Sequence, residues 1–262
     1  MERDIPYVTS GHPRQKLDLY LPENAAKAPL IIWVHGGAWQ EGSKEDFVPL
    51  DYLAEGYAVA SINYRLSQHA IFPAQIQDCK TAVRWLRAHA ALYHLDPQRF
   101  GAWGASAGGH LVALLGTTGH TTEFDVGENM EVSSRVQAVV DYFGPTDFNQ
   151  MDDHRLPKGM LHNPPQSPES LLVGGAIQEM KAEVARANPI TYVSPAAAPF
   201  LIVHGDQDPL VPFHQSVLLE TALKNAGVPV QLYPVAGAGH GGFTDPKVET
   251  LTREFFAAHL RA

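Results

Sequence analysis

The chain is short of several things, and each shortage removes a class of function. Its 262 residues include one cysteine, Cys79, so no disulfide can form within it, which fits a reducing compartment. Lysine and arginine number 19 against 28 aspartates and glutamates, a formal net charge of -9. The densest basic stretch, Lys80, Arg84 and Arg87, is spread along one amphipathic segment. A protein that grips a phosphate backbone needs a cluster of cations, so no nucleic-acid partner is expected. No window approaches the roughly 20 apolar residues of a membrane-spanning helix. The first ten residues carry Glu2, Arg3 and Asp4 and no apolar run, so no signal peptide is read there and a cytoplasmic protein is expected. Repeats and low-complexity stretches are missing too.

What is present is ordinary globular composition, 45% hydrophobic and 18% charged. The length suits one α/β domain over residues 1–262. Short apolar, β-branched runs alternate with longer helical patterns, the signature of βαβ units and a mostly parallel sheet. Residues 16–21 (KLDLYL) alternate with period two and read as an antiparallel edge strand. Further strands are expected at 30–34, 57–62, 99–103, 136–143, 200–203 and 230–235, and helices at 74–91, 107–115, 212–225 and 246–260. Residues 145–199 break this rhythm. They hold Pro157, Pro164, Pro165, Pro168, Pro189 and Pro195 around two short helical patches. A proline-rich insertion before the last two strands reads as a lid or pocket wall.

Gly104-Ala105-Ser106-Ala107-Gly108 matches G-x-S-x-G. It follows an apolar strand and opens a small-residue helix, the context that makes the match specific. A serine at a sharp strand-to-helix turn projects its hydroxyl above the sheet, beside the free N–H groups of the helix N-terminus. Ser106 is the expected nucleophile. His35-Gly36-Gly37-Ala38-Trp39 follows the strand LIIWV. Such a loop can aim backbone N–H groups at a developing oxyanion, and Gly37, Ala38 and Ala107 are the expected donors, with His35 positioning the loop. No metal or organic cofactor is expected; Asp152-Asp153-His154 reads as a solvated loop rather than a ligand set.

Thirteen histidines leave the base ambiguous by type. His240, in a glycine-rich loop between the last strand and the closing helix, is favoured over His204 at a strand end and His214 in a helix. For the acid, Asp208 is favoured over Asp206, which reads as a turn-shaping residue. The order Ser106, Asp208, His240 is the one expected when the serine follows a middle strand of a doubly wound sheet.

HGGAW, GASAGG, HGDQDPLVP and GAGHGG occur in that order. In these motifs the chain resembles the α/β-hydrolase esterases related to hormone-sensitive lipase. Through YRLS, FPAQIQDCKTAVRWLR and LDPQRFGAWGASAGGHL it is similar to bacterial carboxylesterases grouped with acetylxylan and feruloyl esterases. The likeness runs from about Gln15 to the last helix. It implies an α/β-hydrolase fold with a mostly parallel eight-stranded sheet, and it assigns Ser106, Asp208 and His240 as triad. One departure is Ala38, which stands where such relatives usually have a third glycine. The long N-terminal cap of many relatives is not expected here, and residues 145–199 are expected to supply any lid. The resemblance implies hydrolysis of short-chain or aromatic-acid esters, acetyl or feruloyl groups on plant polysaccharides among them, the substrate being a small molecule or an oligosaccharide. It also offers the last strand and closing helix as homodimer surfaces. An arylformamidase acting on N-formylkynurenine and a catalytically silent binding protein are the alternatives. Trp39, Phe143, Phe148, Leu210 and Phe243 are the expected substrate-binding wall, with Phe72 nearby.

Overall fold

The computed structural model describes residues 1–23 and 26–261; Asn24, Ala25 and Ala262, inside the range read as one domain, lie outside the described residues. Eight strands form one sheet in the order β1-β2-β4-β3-β5-β6-β7-β8. They are β1 Glu2–Pro6, β2 Lys16–Tyr20, β3 Ala28–Val34, β4 Ala58–Ile62, β5 Leu95–Ala105, β6 Ala138–Tyr142, β7 Phe200–Gly205 and β8 Val230–Val235. The β1/β2 and β2/β4 pairs are antiparallel and every other pair is parallel. This is the α/β-hydrolase fold. Among the described residues no helix is long and apolar enough to cross a membrane.

The apolar strands are covered on both faces, as a parallel sheet requires. Side-chain alternation divides each strand between two cores. Leu30, Ile32, Val34, Ala58, Ala60 and Ile62 pack on one face with α1 (Ala74–Ala88), α2 (Ala107–Thr118) and α5 (His214–Asn225). Ile31, Trp33, Val59 and Trp103 pack on the other with α6 (Pro246–Leu260). Between β6 and β7, residues 145–199 hold two short helices, α3 Pro168–Val173 and α4 Lys181–Ala187.

Two expectations are corrected. The strand at residues 16–21 is antiparallel but is not the edge, because Glu2–Pro6 pairs outside it. That outer strand is charged and mostly exposed. Such a strand carries no period-two apolar signal, and charge is how an edge discourages further pairing. Asp18 accepts from Asp4 N–H at 2.8 Å, and buried Lys44 pairs with Asp18 at 2.8 Å and Asp4 at 3.2 Å. The strand expected at residues 99–103 also begins earlier, at Leu95. Leu95 already pairs with Ala28, ahead of an irregularity that precedes the regular register from Phe100.

Candidate active site

Four parallel strands deliver the expected chemistry to one edge of the sheet, their carboxyl ends, where doubly wound sheets bind ligands. At the end of β5, Ser106 adopts φ 57° and ψ −121°, a left-handed backbone that a non-glycine residue rarely takes. Its N–H donates to Tyr142 O at 2.8 Å, and its carbonyl accepts from His110 N–H at 3.0 Å. Space around this turn is tight: a Cβ at Gly108 would collide with Val34 O and one at Gly104 with Gly108 O. Glycines two residues on either side let the helix begin against the neighbouring strand.

Ser106 Oγ lies 2.9 Å from His240 Nε2, and His240 Nδ1 lies 2.6 Å from Asp208 Oδ2. With the serine hydroxyl donating to Nε2, the ring carries its proton on Nδ1 and donates to the carboxylate. Asp208 accepts the N–H groups of Leu210 at 2.7 Å and Val211 at 3.0 Å on its other oxygen. His204 Nε2 approaches the shared oxygen at 3.1 Å, while its Nδ1 faces Ser216 Oγ at 2.7 Å. Burial alone would raise the Asp208 carboxyl. The hydrogen bonds and charge of His204 and His240 outweigh it and hold the carboxyl well below the usual carboxylate range. It is therefore ionised at neutral pH.

The competing residues are sorted by position. Asp206 accepts Gly237 N–H at 2.7 Å and so braces the loop that bears His240. His204 is fully buried behind Asp208. His214 packs on His154, ring centroids 3.6 Å apart, and lines neither cavity at Ser106. Asp152 spends both oxygens on the amides of His162 and Asn163.

The loop after β3 is wound left-handed over three residues, Gly37 at φ +100°, Ala38 at 52° and Trp39 at 57°. Successive residues of this kind turn their N–H groups to one side, the geometry of an anion-binding concavity. Among the described residues neither Gly37 N–H nor Ala38 N–H meets a protein acceptor, and Ala107 opens α2, where the first N–H groups have no partner within the helix. Ala38 thus takes the left-handed backbone despite its methyl group, at a cost of about 1 kcal/mol. His35 supports the loop from behind. Arg14 donates to its Nε2 at 3.1 Å, so Nδ1 carries the proton and donates to Gly36 O at 2.7 Å. Burial pushes this imidazole down to about 4, which keeps it neutral, and the two hydrogen bonds set the tautomer.

Two cavities meet at Ser106. An open one of about 670 Å³ is walled by Gly37, Glu41, Asp46, Phe47, Phe143 and Gly242. A small one of about 80 Å³ lies between Trp39, Met160, His162, Pro168, Glu169 and Val211, with Ala38, Ser106, Leu210 and His240 bordering both. Of the expected wall residues, Leu210, Phe143 and Trp39 line these spaces, and Phe143 packs on the His240 ring with centroids 4.5 Å apart. Phe243 sits one layer out, against Phe143 at 5.6 Å. Phe148 is not a wall residue: it is fully buried behind Trp39 and His110. Phe72 packs on Phe124 instead. Sequence reasoning missed Phe47, 91% exposed on the rim, together with Met160, His162 and Glu169. The only signal for the last three was their place in the proline-rich insertion.

Known proteins share this arrangement of fold and motifs. The BD-FAE family profile matches residues 17–223. The chain belongs to the BD-FAE family. This BD-FAE member is 32% identical to the esterase LipQ of Mycobacterium tuberculosis over 247 residues, 92% of this chain and 56% of LipQ. The chain thus spans about half the length of the curated relatives it matches. A truncated carbohydrate esterase from gut microbiota superposes with a TM-score of 0.91 at 34% identity, covering 99% of this chain and 96% of that one. Est2 of Thermogutta terrifontis, solved with propionate bound, gives 0.76 at 28% identity over 93% of this chain and 89% of Est2. The BD-FAE member is thereby placed among α/β-hydrolase esterases related to carbohydrate and feruloyl esterases.

Proposed function

We propose that this chain is a serine carboxylesterase that removes short acyl groups from carbohydrate alcohols. The observation that carries the reading is the continuous hydrogen-bonded path from Ser106 Oγ through His240 to Asp208, beside the amides of Gly37 and Ala38, which meet no other acceptor among the described residues. His240 Nε2 takes the Ser106 proton as the hydroxyl oxygen bonds to the ester carbon. The resulting oxyanion rests on the N–H groups of Gly37, Ala38 and Ala107, and Asp208 supports the imidazolium. The C–O bond to the alcohol then breaks, and the alcohol oxygen takes the proton back from Nε2. Water repeats the cycle on the acyl-serine and frees the carboxylic acid.

Cavity size divides the substrate. The acyl group stays bonded to Ser106 while the alcohol must leave, so the open space suits the alcohol and the enclosed one the acyl chain. A void of about 80 Å³ is about half of the roughly 150 Å³ cavity that holds one benzene, enough for a few heavy atoms and too small for a feruloyl group. Propionate bound to Est2 supports a short chain. Exposed Phe47 with Glu41 and Asp46 supplies an aromatic face and carboxylate acceptors, which suit a sugar's apolar face and hydroxyls. Residues 145–199 act as the wall of the acyl pocket.

A panel of 4-nitrophenyl acetate, butyrate and octanoate, methyl ferulate, acetylated xylan and N-formylkynurenine tests the reading. Acetate and butyrate should lead, and Ser106→Ala should lower kcat by about 10⁴-fold or more. A folded alanine variant as fast as the parent would overturn the mechanism. Preference for methyl ferulate or formylkynurenine would reassign the substrate.

A further inference from the structure

One buried imidazole beside the triad takes no part in the steps above. His204 lies at the end of β7 and is fully buried, so no substrate reaches it. Its ring is fixed from several sides. Nδ1 meets Ser216 Oγ of α5 at 2.7 Å, and the rings of Phe143 and Phe213 stand T-shaped against it, centroids 6.1 and 5.6 Å away. Nε2 faces two acceptors, Asp208 Oδ2 at 3.1 Å and Val211 O at 3.0 Å. A bare nitrogen lone pair between a carboxylate and a carbonyl would be repelled by both. Nε2 therefore carries a hydrogen, whatever the state of Nδ1, and shares it between the two oxygens.

Asp208 Oδ2 thus receives two imidazole donors, His240 at 2.6 Å and His204 at 3.1 Å, while Oδ1 accepts the amides of Leu210 and Val211. Two donors on one oxygen compete, because each withdraws charge that the other would otherwise meet. We propose that His204 is a positioning residue that holds Asp208 Oδ2, moderates how strongly this carboxylate supports the His240 imidazolium, and so sets the acid limit of activity. The inference rests on the esterase reading and deepens it by naming what tunes the triad. His240 serves as base only while Nε2 is free of a proton. Withdrawing the His204 donor leaves Asp208 a stronger acceptor, favours protonated His240 and moves the acid limb of the pH profile upward. A charge on the His204 ring would act in the same direction, since its loss also favours a cation at His240. The other ionisable groups around His240 are His162 and Glu169 across the small cavity and His35, Glu41 and Asp46 across the open one. They are the same in every variant below, so the comparison isolates His204.

The test is the pH profile of kcat/KM for 4-nitrophenyl acetate, measured on the full chain. His204→Asn places its amide where Nδ1 stood, facing Ser216, and takes the donor away from Asp208. Its acid limb should lie about half a pH unit or more above that of wild type. His204→Gln reaches to the place of Nε2, restores the donor and should return the limb to the wild-type position. His204→Met removes the donor with no polar group in its place; it should raise the limb like the asparagine and serves if that variant does not fold. Packing damage alone would lower kcat at every pH and leave the limb where it is. A limb unmoved in the asparagine or methionine variant, or displaced just as far by glutamine, would overturn the role. If wild type did not hydrolyse the ester, or Ser106→Ala hydrolysed it as fast, the esterase reading would fall and take this role with it.

Discussion

At the residue scale, the site is tuned mainly by which ionisable groups are buried and what they face. Asp208 is held ionised by two imidazoles, whereas Asp141, one layer below the nucleophile turn, is treated oppositely. Asp141 is 1% exposed, and one oxygen accepts Gly144 N–H at 2.9 Å while the other has no partner among the described residues. Burial, only partly countered by that N–H, pushes its carboxyl up to about 7. A carboxyl raised by folding stabilises the native state fully at low pH, and that contribution is lost as pH rises through the folded value. Asp141→Asn keeps an acceptor for Gly144 and cannot ionise. Its melting temperature relative to wild type should therefore climb from pH 4 to about 7 and level off above; thermal melts across that range check it, and a flat difference would show that Asp141 does not titrate there.

At the scale of elements, close approach of backbone decides whether the turn can form. Gly108 lies in the first turn of α2, where a Cβ would meet the carbonyls of Val34 and His35, so Gly108→Ala must push the helix away from β3. We expect a loss of about 3 kcal/mol in urea unfolding, the upper end for overpacking, with esterase activity falling further than stability because Ser106 moves with the helix. Phe148 belongs to this scale as well. From the sequence it reads as a pocket residue whose removal changes acyl preference. In the fold it is fully buried, T-shaped against Trp39 with centroids 5.6 Å apart. Phe148→Ala should instead cost about 3–5 kcal/mol of stability. Phe143→Ala, removing a ring that faces the open cavity and His240, should change kcat/KM more than stability. Denaturant curves beside kinetics on the two variants separate the roles.

At the scale of the whole molecule, the loop offering the amides is held by residues far away in sequence. Arg14, between β1 and β2, donates to His35, to Gly42 O at 2.9 Å, to Asn63 Oδ1 at 3.2 Å and to Tyr64 O at 2.8 Å. Lys44, in the same loop, is anchored on Asp18 and Asp4. The antiparallel corner of the sheet therefore anchors the loop that carries Gly37 and Ala38 and is more than an edge. Arg14→Met should lower kcat by about tenfold or more, because catalytic donors lose rate when displaced by a fraction of an ångström, while KM for a small ester changes little. An unchanged kcat would show that the loop holds itself.

The alternation of apolar strands with helical patterns, the turn around Ser106, and the placement of Asp208 and His240 on loops after later strands were legible in the chain itself. These are local signals: periodicity, glycine spacing and the placement of short motifs after strands depend on neighbours within a few residues. That Asp208 and not Asp206 lies against His240 was also within reach, since the two occupy different places in one loop. The charged outer strand, the retreat of Phe148 into the core, the exposure of Phe47 and the convergence of His162 with Glu169 beside the serine were decided only by tertiary packing. In each case side chains distant along the chain meet, and what a residue contributes depends on which solvent, cavity or partner the completed fold leaves beside it.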